Sequence, residues 1–360
     1  MPMKPAAIVR TSNRLNLDYK REASQFPSLQ GGIIDIHSHL EGKQATTLYA
    51  EAAKHYGISK TYSMTALHEI PTVRSVLHEA VSFIAIPNFR AGDITQSFGP
   101  EFVSQLPSFQ KHGARIAKFW NAPRIYEASN EPFHQSPLRI NSPLRKDTMK
   151  CAADLGMCFM AHIADPDTWF STKYKDAQRY GTKQEQYELF EDVLSEFQVP
   201  WIAAHMGGYP EDLQFLSKLL SRNKNLYLDC SATKWIVREL SKHPLEDVRD
   251  FFTKWKGRLL FGSDIVARES HLSNASSQNE MDSKASSTIE AFDLYASRYW
   301  ALRTLLETGY VGESPISDPD LHLVDADTYT PSDAPMLRGV ALAAETLQKL
   351  YRTTAEELGM

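Results

Sequence analysis

Eight short apolar runs alternate with stretches long enough for a helix across residues 31–264, and this rhythm constrains the fold more than any other feature of the chain. The runs occupy 31–40, 58–65, 81–88, 114–120, 156–162, 199–208, 225–230 and 258–264. Helical periodicity fills the intervals at 45–56, 72–79, 100–111, 147–155, 183–197, 211–222 and 245–255. Parallel strands need crossovers of this kind, and strands covered on both faces are written as near-continuous apolar runs. The count of eight predicts an α/β fold, a (β/α)8 TIM barrel. Residues 1–30 are left as a polar N-terminal arm, and the barrel domain spans 31–360 with a C-terminal helical extension. Within it, 265–335 reads as an insertion or extension and 336–360 as closing helices. Residues 270–287 read as a flexible Ser-rich excursion, 288–307 as a strong helix, and 320–329 as a strand pair or an irregular loop.

In a barrel of this class the functional side chains gather at the C-terminal ends of the strands. His37, His39, Lys118, His162, His205 and Asp264 all stand at such ends. Residues i and i+2 of a strand point the same way, so His37 and His39 aim two imidazoles at one place. Neutral imidazoles with a carboxylate suit a divalent metal, zinc first, with manganese, iron and cobalt also accepted by such ligands. The connection at 121–146 is long, and Pro, Ser and aromatic residues punctuate it, as expected of a substrate lid. With the strand end before it and the aromatic-rich 163–182 segment, it offers Trp120, Arg124, His134 and Trp169 as substrate-binding residues, against the simpler readings of core packing and solvated charge.

Composition excludes several classes. A net charge of -5 without a basic stripe gives no footprint for nucleic acid. No stretch approaches the roughly 18 apolar residues of a membrane span, and the first 20 residues lack the apolar core of a secretory signal. Three cysteines, Cys151, Cys158 and Cys230, form neither a disulfide framework nor a paired metal spacing, which suits a reducing cytoplasm. The expected partner is a small-molecule substrate, with homo-oligomers common among such barrels and neither nucleic acid nor membrane expected.

Asp-Ile-His-Ser-His at 35–39, Ala-His-Ile at 161–163, Ala-His-Met-Gly-Gly at 204–208 and Phe-Gly-Ser-Asp at 261–264, in this order and spacing, resemble the amidohydrolase superfamily. The closer resemblance is to its amidohydrolase-related branch of hydrolases and decarboxylases. The resemblance implies that His37, His39, His162 and Asp264 bind metal. His205 then either binds a second metal or holds the substrate beside the first, and Asp264 is also the general base. Lys118, in Ala-Lys-Phe-Trp, is similar in context to a carboxylated lysine that bridges two metals in some relatives. The alternative is a lysine paired with a carboxylate or an anionic substrate, so one or two ions are expected. The implied activity is metal-dependent hydrolysis of an amide, ester or lactone-like bond. The alternative is non-oxidative decarboxylation of an aromatic or unsaturated acid.

Overall fold

The computed structural model describes residues 11–128, 131–273 and 282–360. The first ten residues of the expected arm and residues 274–281 of the expected excursion lie outside the described residues. The chain forms the TIM barrel that the strand count predicts. Strands β1 (Ile33–Leu40), β2 (Ile58–Met64), β3 (Val81–Ala85), β4 (Ile116–Trp120), β5 (Cys158–His162), β6 (Trp201–Ala203) and β7 (Leu226–Asp229) pair in parallel, each with the next. Closure is made by an eighth stave in two pieces. β8 (Leu259–Leu260) pairs with β7, and β9 (Ile265–Ala267) pairs with β1.

The break in that stave positions the chemistry. Between its halves, Ile36 N donates to Phe261 O at 3.0 Å and Asp264 N donates to His37 O at 2.7 Å, so β1 is held on both sides of residues 261–264. Inside the bore Ile34, Tyr62, Ile84, Ile116, Met160 and Leu260 form one apolar plug, sealed below by Met360. A larger apolar layer lies between strands and helices, with Phe119, Phe159 and Trp201 among its buried rings. With the bore filled and its lower end closed, the polar strand ends are confined to the upper mouth.

Several expectations are corrected. A helix at Thr233–Leu240 follows β7 where the sequence reading gave only a link. Residues 320–329 are not a strand pair: Asp320–Val324 is helical. The closing segment begins as a strand, Met336–Arg338, antiparallel to Val311–Glu313, before its helical turns. The helix after the long β4 connection starts at Pro143, with Ser142 as its cap, because proline is accepted in a first turn. The strong helix falls at Thr288–Glu307 as expected. In the N-terminal segment, Tyr19–Ala23 is a short helix whose Tyr19 is buried. No helix among the described residues is long and apolar enough to cross a membrane.

Candidate active site

Burial leaves β1 few ways to satisfy its polar side chains, and the ones it finds fix the imidazoles. His37 is 1% exposed, and its Nδ1 lies 2.7 Å from Asp229 Oδ2 at the end of β7. An ionised carboxylate only accepts, so the proton sits on Nδ1 and the Nε2 lone pair faces the mouth. Asp229 Oδ1 takes hydrogen bonds from His205 N at 2.7 Å, Ser231 N at 3.0 Å and the Ser231 hydroxyl. That hydroxyl has given its proton away, so at 2.7 Å it accepts from His205 Nδ1 and leaves His205 Nε2 free as well. One carboxylate thereby sets two imidazoles.

Asp264 completes the cluster. Its Oδ1 is 3.4 Å from His37 Nε2 and 3.2 Å from His39 Nε2. One ligand atom from each of the three residues lies within 4.8 Å of the others. His39 and Asp264 are 27% and 30% exposed, so the cluster is open on one side only. A second group, His37, His205 and Asp229, is equally compact, but both oxygens of Asp229 are already engaged by donors. Asp229 is therefore a scaffold for the imidazoles, and the first group is the one with donor atoms to spare.

Charge states agree with the donor set. Burial lowers the pKa of His37, with the Lys118 charge adding to it and Asp229 opposing. Burial, the His162 charge and the His37 charge bring His205 well below the ordinary imidazole range. For Asp264, burial works upward, but the His39 hydrogen bond and the His37 and His205 charges hold the carboxyl well below its usual range. Asp229 is lowered in the same manner by His37, His205 and Ser231 against its burial. An Nε2 lone pair on His37, with its proton held at Nδ1, and an ionised Asp264 carboxylate are forms a divalent cation requires, so the residues present fit a metal.

Behind β1, Asp35 accepts from His37 N at 3.1 Å, Ser263 N at 3.0 Å, Ser263 Oγ at 2.6 Å and Tyr299 OH at 2.8 Å. Burial still lifts its pKa to about 6. The site also stores backbone strain: His205, Ala232 and Asp264, at three successive strand ends, have φ of 59°, 61° and 55°. Non-glycine residues hold such angles only where their surroundings over-determine them. Gly208, two residues past Met206, has no alternative, since a Cβ there would lie 1.8 Å from the Ala164 carbonyl oxygen.

The remaining expected residues separate. Lys118 is 3% exposed, and burial pulls its pKa down to about 8 against the charges of Asp229 and Asp264. His162 sets its ring edge-on to that of His205, 4.6 Å between centroids, but its Nε2 is 2.9 Å from Asp165 Oδ1, and it stands outside both three-residue groups. Trp120 packs on Phe89 and Phe98. Arg124 and His134 turn outward, 52% and 64% exposed, Arg124 to an ion pair with Glu127 and His134 to lie 3.3 Å from Glu185. Trp169 donates to Asp320 and packs on Trp235, whose ring meets both His162 and His205. Asp229 and Ser231 were missed, whereas Trp235 was expected with Trp169 either to line an apolar pocket or to pack in the core. Asp229 carries the same signal as Asp264, an acid closing an apolar run.

On the β1–β3 side of the mouth a cavity of about 430 Å³ reaches His39, with Glu41, Glu69, Arg90, Glu101 and Arg268 among its lining.

A barrel with its histidine and aspartate donors gathered at one mouth belongs to the class of metal-dependent TIM-barrel enzymes. Residues 128–358 match the amidohydrolase family model Amidohydro_2, and the chain belongs to that family. The solved structures it resembles include an amidohydrolase from Burkholderia multivorans with bound HEPES, 10% identical over 91% of this chain and 99% of that chain, TM-score 0.44. Another is 5-carboxyvanillate decarboxylase from Novosphingobium aromaticivorans, complexed with manganese and 4-hydroxy-3-methoxy-5-nitrobenzoic acid, 9% identical over 91% and 96%, TM-score 0.44. A third is 2,6-dihydroxybenzoate decarboxylase complexed with 2,6-dihydroxybenzoate, 14% identical over 75% and 99%, TM-score 0.38. No curated protein sequence matches significantly.

Proposed function

We propose that the protein is a metal-dependent hydrolase that opens an amide, ester or lactone-like bond of a small molecule. The observation that carries this reading is the shared approach of His37 Nε2 and His39 Nε2 to one oxygen of Asp264, on the open side of an otherwise buried cluster. His37, His39 and Asp264 would hold one divalent ion, zinc or manganese first, with His205 beside it. Bound there, the ion would supply Lewis-acid polarisation of a carbonyl and would acidify a water.

The chain's own groups do the rest. Asp264 accepts the proton of the attacking water on its outer oxygen and delivers it to the leaving group. His205 Nε2, fixed by Ser231 and free of other partners in that hydrogen-bond scheme, faces the same space and orients the substrate. Asp229, directly for His37 and through Ser231 for His205, holds the imidazole proton on Nδ1, so both Nε2 atoms face the substrate side. Lys118, buried within the field of Asp229 and Asp264, balances their charge in this reading.

The aromatic wall formed by Trp235 and Trp169 favours a second reading, decarboxylation of a flat carboxylic acid in the same site. Elemental analysis of protein purified without added metal tests the first step, with His37→Ala beside it. Near one ion per chain, lost in the variant, is expected. Esters, amides and lactones are then assayed for hydrolysis and aromatic acids for CO2 release. CO2 release without hydrolysis exchanges the two readings, and metal absent even after adding zinc or manganese overturns both.

A further inference from the structure

Trp169 Nε1 and Trp235 Nε1 donate to the same oxygen, Asp320 Oδ2, at 2.8 and 3.1 Å. Asp320 is 6% exposed and belongs to the C-terminal extension, outside the repeating barrel units. Its charge is held by Arg238 Nη1 at 3.4 Å, and Arg238 also pairs with Asp318 and Glu239. Asp318 Oδ1 in turn accepts from Asp320 N at 3.3 Å. The extension therefore meets the barrel through a buried ionic cluster whose outermost carboxylate grips two indoles.

Those indoles continue to the chemistry. Trp235 stands edge-on to His205 at 5.7 Å and to His162 at 6.3 Å between ring centroids, and Trp169 lies 5.3 Å beyond it. The circuit closes on the other side, because Trp169 packs on Tyr174, whose hydroxyl donates to Asp165 at 2.8 Å, and Asp165 holds His162. An indole has one donor, and here both are spent on Asp320. What the pair turns towards the histidines is hydrogen-bond-silent ring, held in place at one carboxylate.

We propose that Asp320 is the positioning residue of the active-site wall: it fixes the Trp235 and Trp169 indoles against His205 and His162 so that the flat apolar part of a ligand packs there. This rests on the metal-site reading above for the ligand's other end. Released from Asp320, the indoles lose their common anchor, and each is left with an unpaired donor in a half-buried setting.

The test uses the manganese-loaded protein with two hydroxamates as chelating probes, acetohydroxamate and benzohydroxamate, and the indole N–H signals of 15N-labelled protein. Wild type is expected to prefer the phenyl probe by roughly tenfold, the scale of one aromatic packing contact with its burial. Asp320→Leu, which leaves no acceptor for either indole, is expected to cut that preference by about threefold or more and to leave acetohydroxamate affinity within about twofold. The Trp169 and Trp235 signals should move together in this variant. Those of Trp201 and Trp255, bonded to Phe197 O and Ser217 Oγ, should stay. Trp235→Leu should remove the preference outright. A preference that survives either substitution, or indole signals that do not move in Asp320→Leu, overturns the proposal. If neither probe binds wild type, the metal reading fails, and the indole shifts still decide the role of Asp320. Should Asp320→Leu not fold, Asp320→Glu, which keeps the charge and displaces it by one methylene, carries both measurements.

Discussion

The two halves of the barrel mouth are built differently. From β5 round to β1, every strand end carries a histidine or an aspartate, and His205, Ala232 and Asp264 hold left-handed backbone angles there. At β2 and β3, the ends lead into the 430 Å³ cavity and its charged rim, and among the described residues no non-glycine strand end on that side has a positive φ. Strain of this kind costs of order 1–3 kcal/mol per residue and persists where geometry matters. The first half is thus a preorganised chemical face, with its donors tied by Asp35 and Asp229, and the second is a recess with ordinary loops. Substitutions in the first half should act on metal and turnover, and those in the second on substrate affinity.

The largest effect is expected at Asp264. Asp264→Asn keeps the shape and removes the charge shared by His37 and His39. Turnover should fall by about 10³-fold, the combined scale of a lost proton acceptor and a weakened metal site. Metal content should drop with it. A variant that retained full metal and full activity would remove Asp264 from the chemical face.

Gly208→Ala tests whether the backbone of that face is as constrained as it looks. The added Cβ would meet the Ala164 carbonyl oxygen at 1.8 Å with φ at +76°. A cost of about 3 kcal/mol is expected, read as a lower urea midpoint. A neutral result would mean that the β5 and β6 ends can part without loss. Asp229→Asn comes next. An amide cannot accept at both ends as the carboxylate does, so the proton of His37 is no longer specified. Metal affinity should fall by roughly 10–100-fold, measured by titration with a chelator, while the fold persists.

The chemical face was also the more legible half. His37 and His39 converge with Asp264 because the strand alternation and the barrel's C-terminal rule are both local statements that the sequence carries. Buried parallel strands write themselves as apolar runs, so all eight staves could be counted. The split of the last one could not be seen, since Phe261 to Asp264 is defined by hydrogen bonds to β1 across the closure. Asp229 stood inside a run already read as strand and was passed over, although only its distance from His37 in space distinguishes it from a satisfied core acid. The extension was least legible. Asp320 caps no periodic pattern, the Met336–Arg338 strand exists because of its pairing with Val311–Glu313, and the directions of Arg124 and His134 depend on Glu127 and Glu185 rather than on periodicity. Long-range partners decided each of these.

The smallest effect is expected on the recess side, and it sharpens the contrast. Arg90 lies on the cavity rim, exposed, with no ion pair to its guanidinium among the described residues, whereas Glu69 already accepts from Gly42 N and Glu101 from Gln105. An exposed arginine beside a substrate contributes through screened charge, so Arg90→Ala should raise KM for an anionic substrate by about three- to fivefold at low salt. The difference should shrink at high salt, and kcat and metal content should not change. A neutral substrate of the same shape should show no difference at all. Loss of kcat in Arg90→Ala would carry the chemical face across to β3 and erase the division between the two halves. An unchanged KM for every charged substrate would instead place the bound molecule wholly against the Trp235 wall, leaving the cavity as a solvent approach to His39.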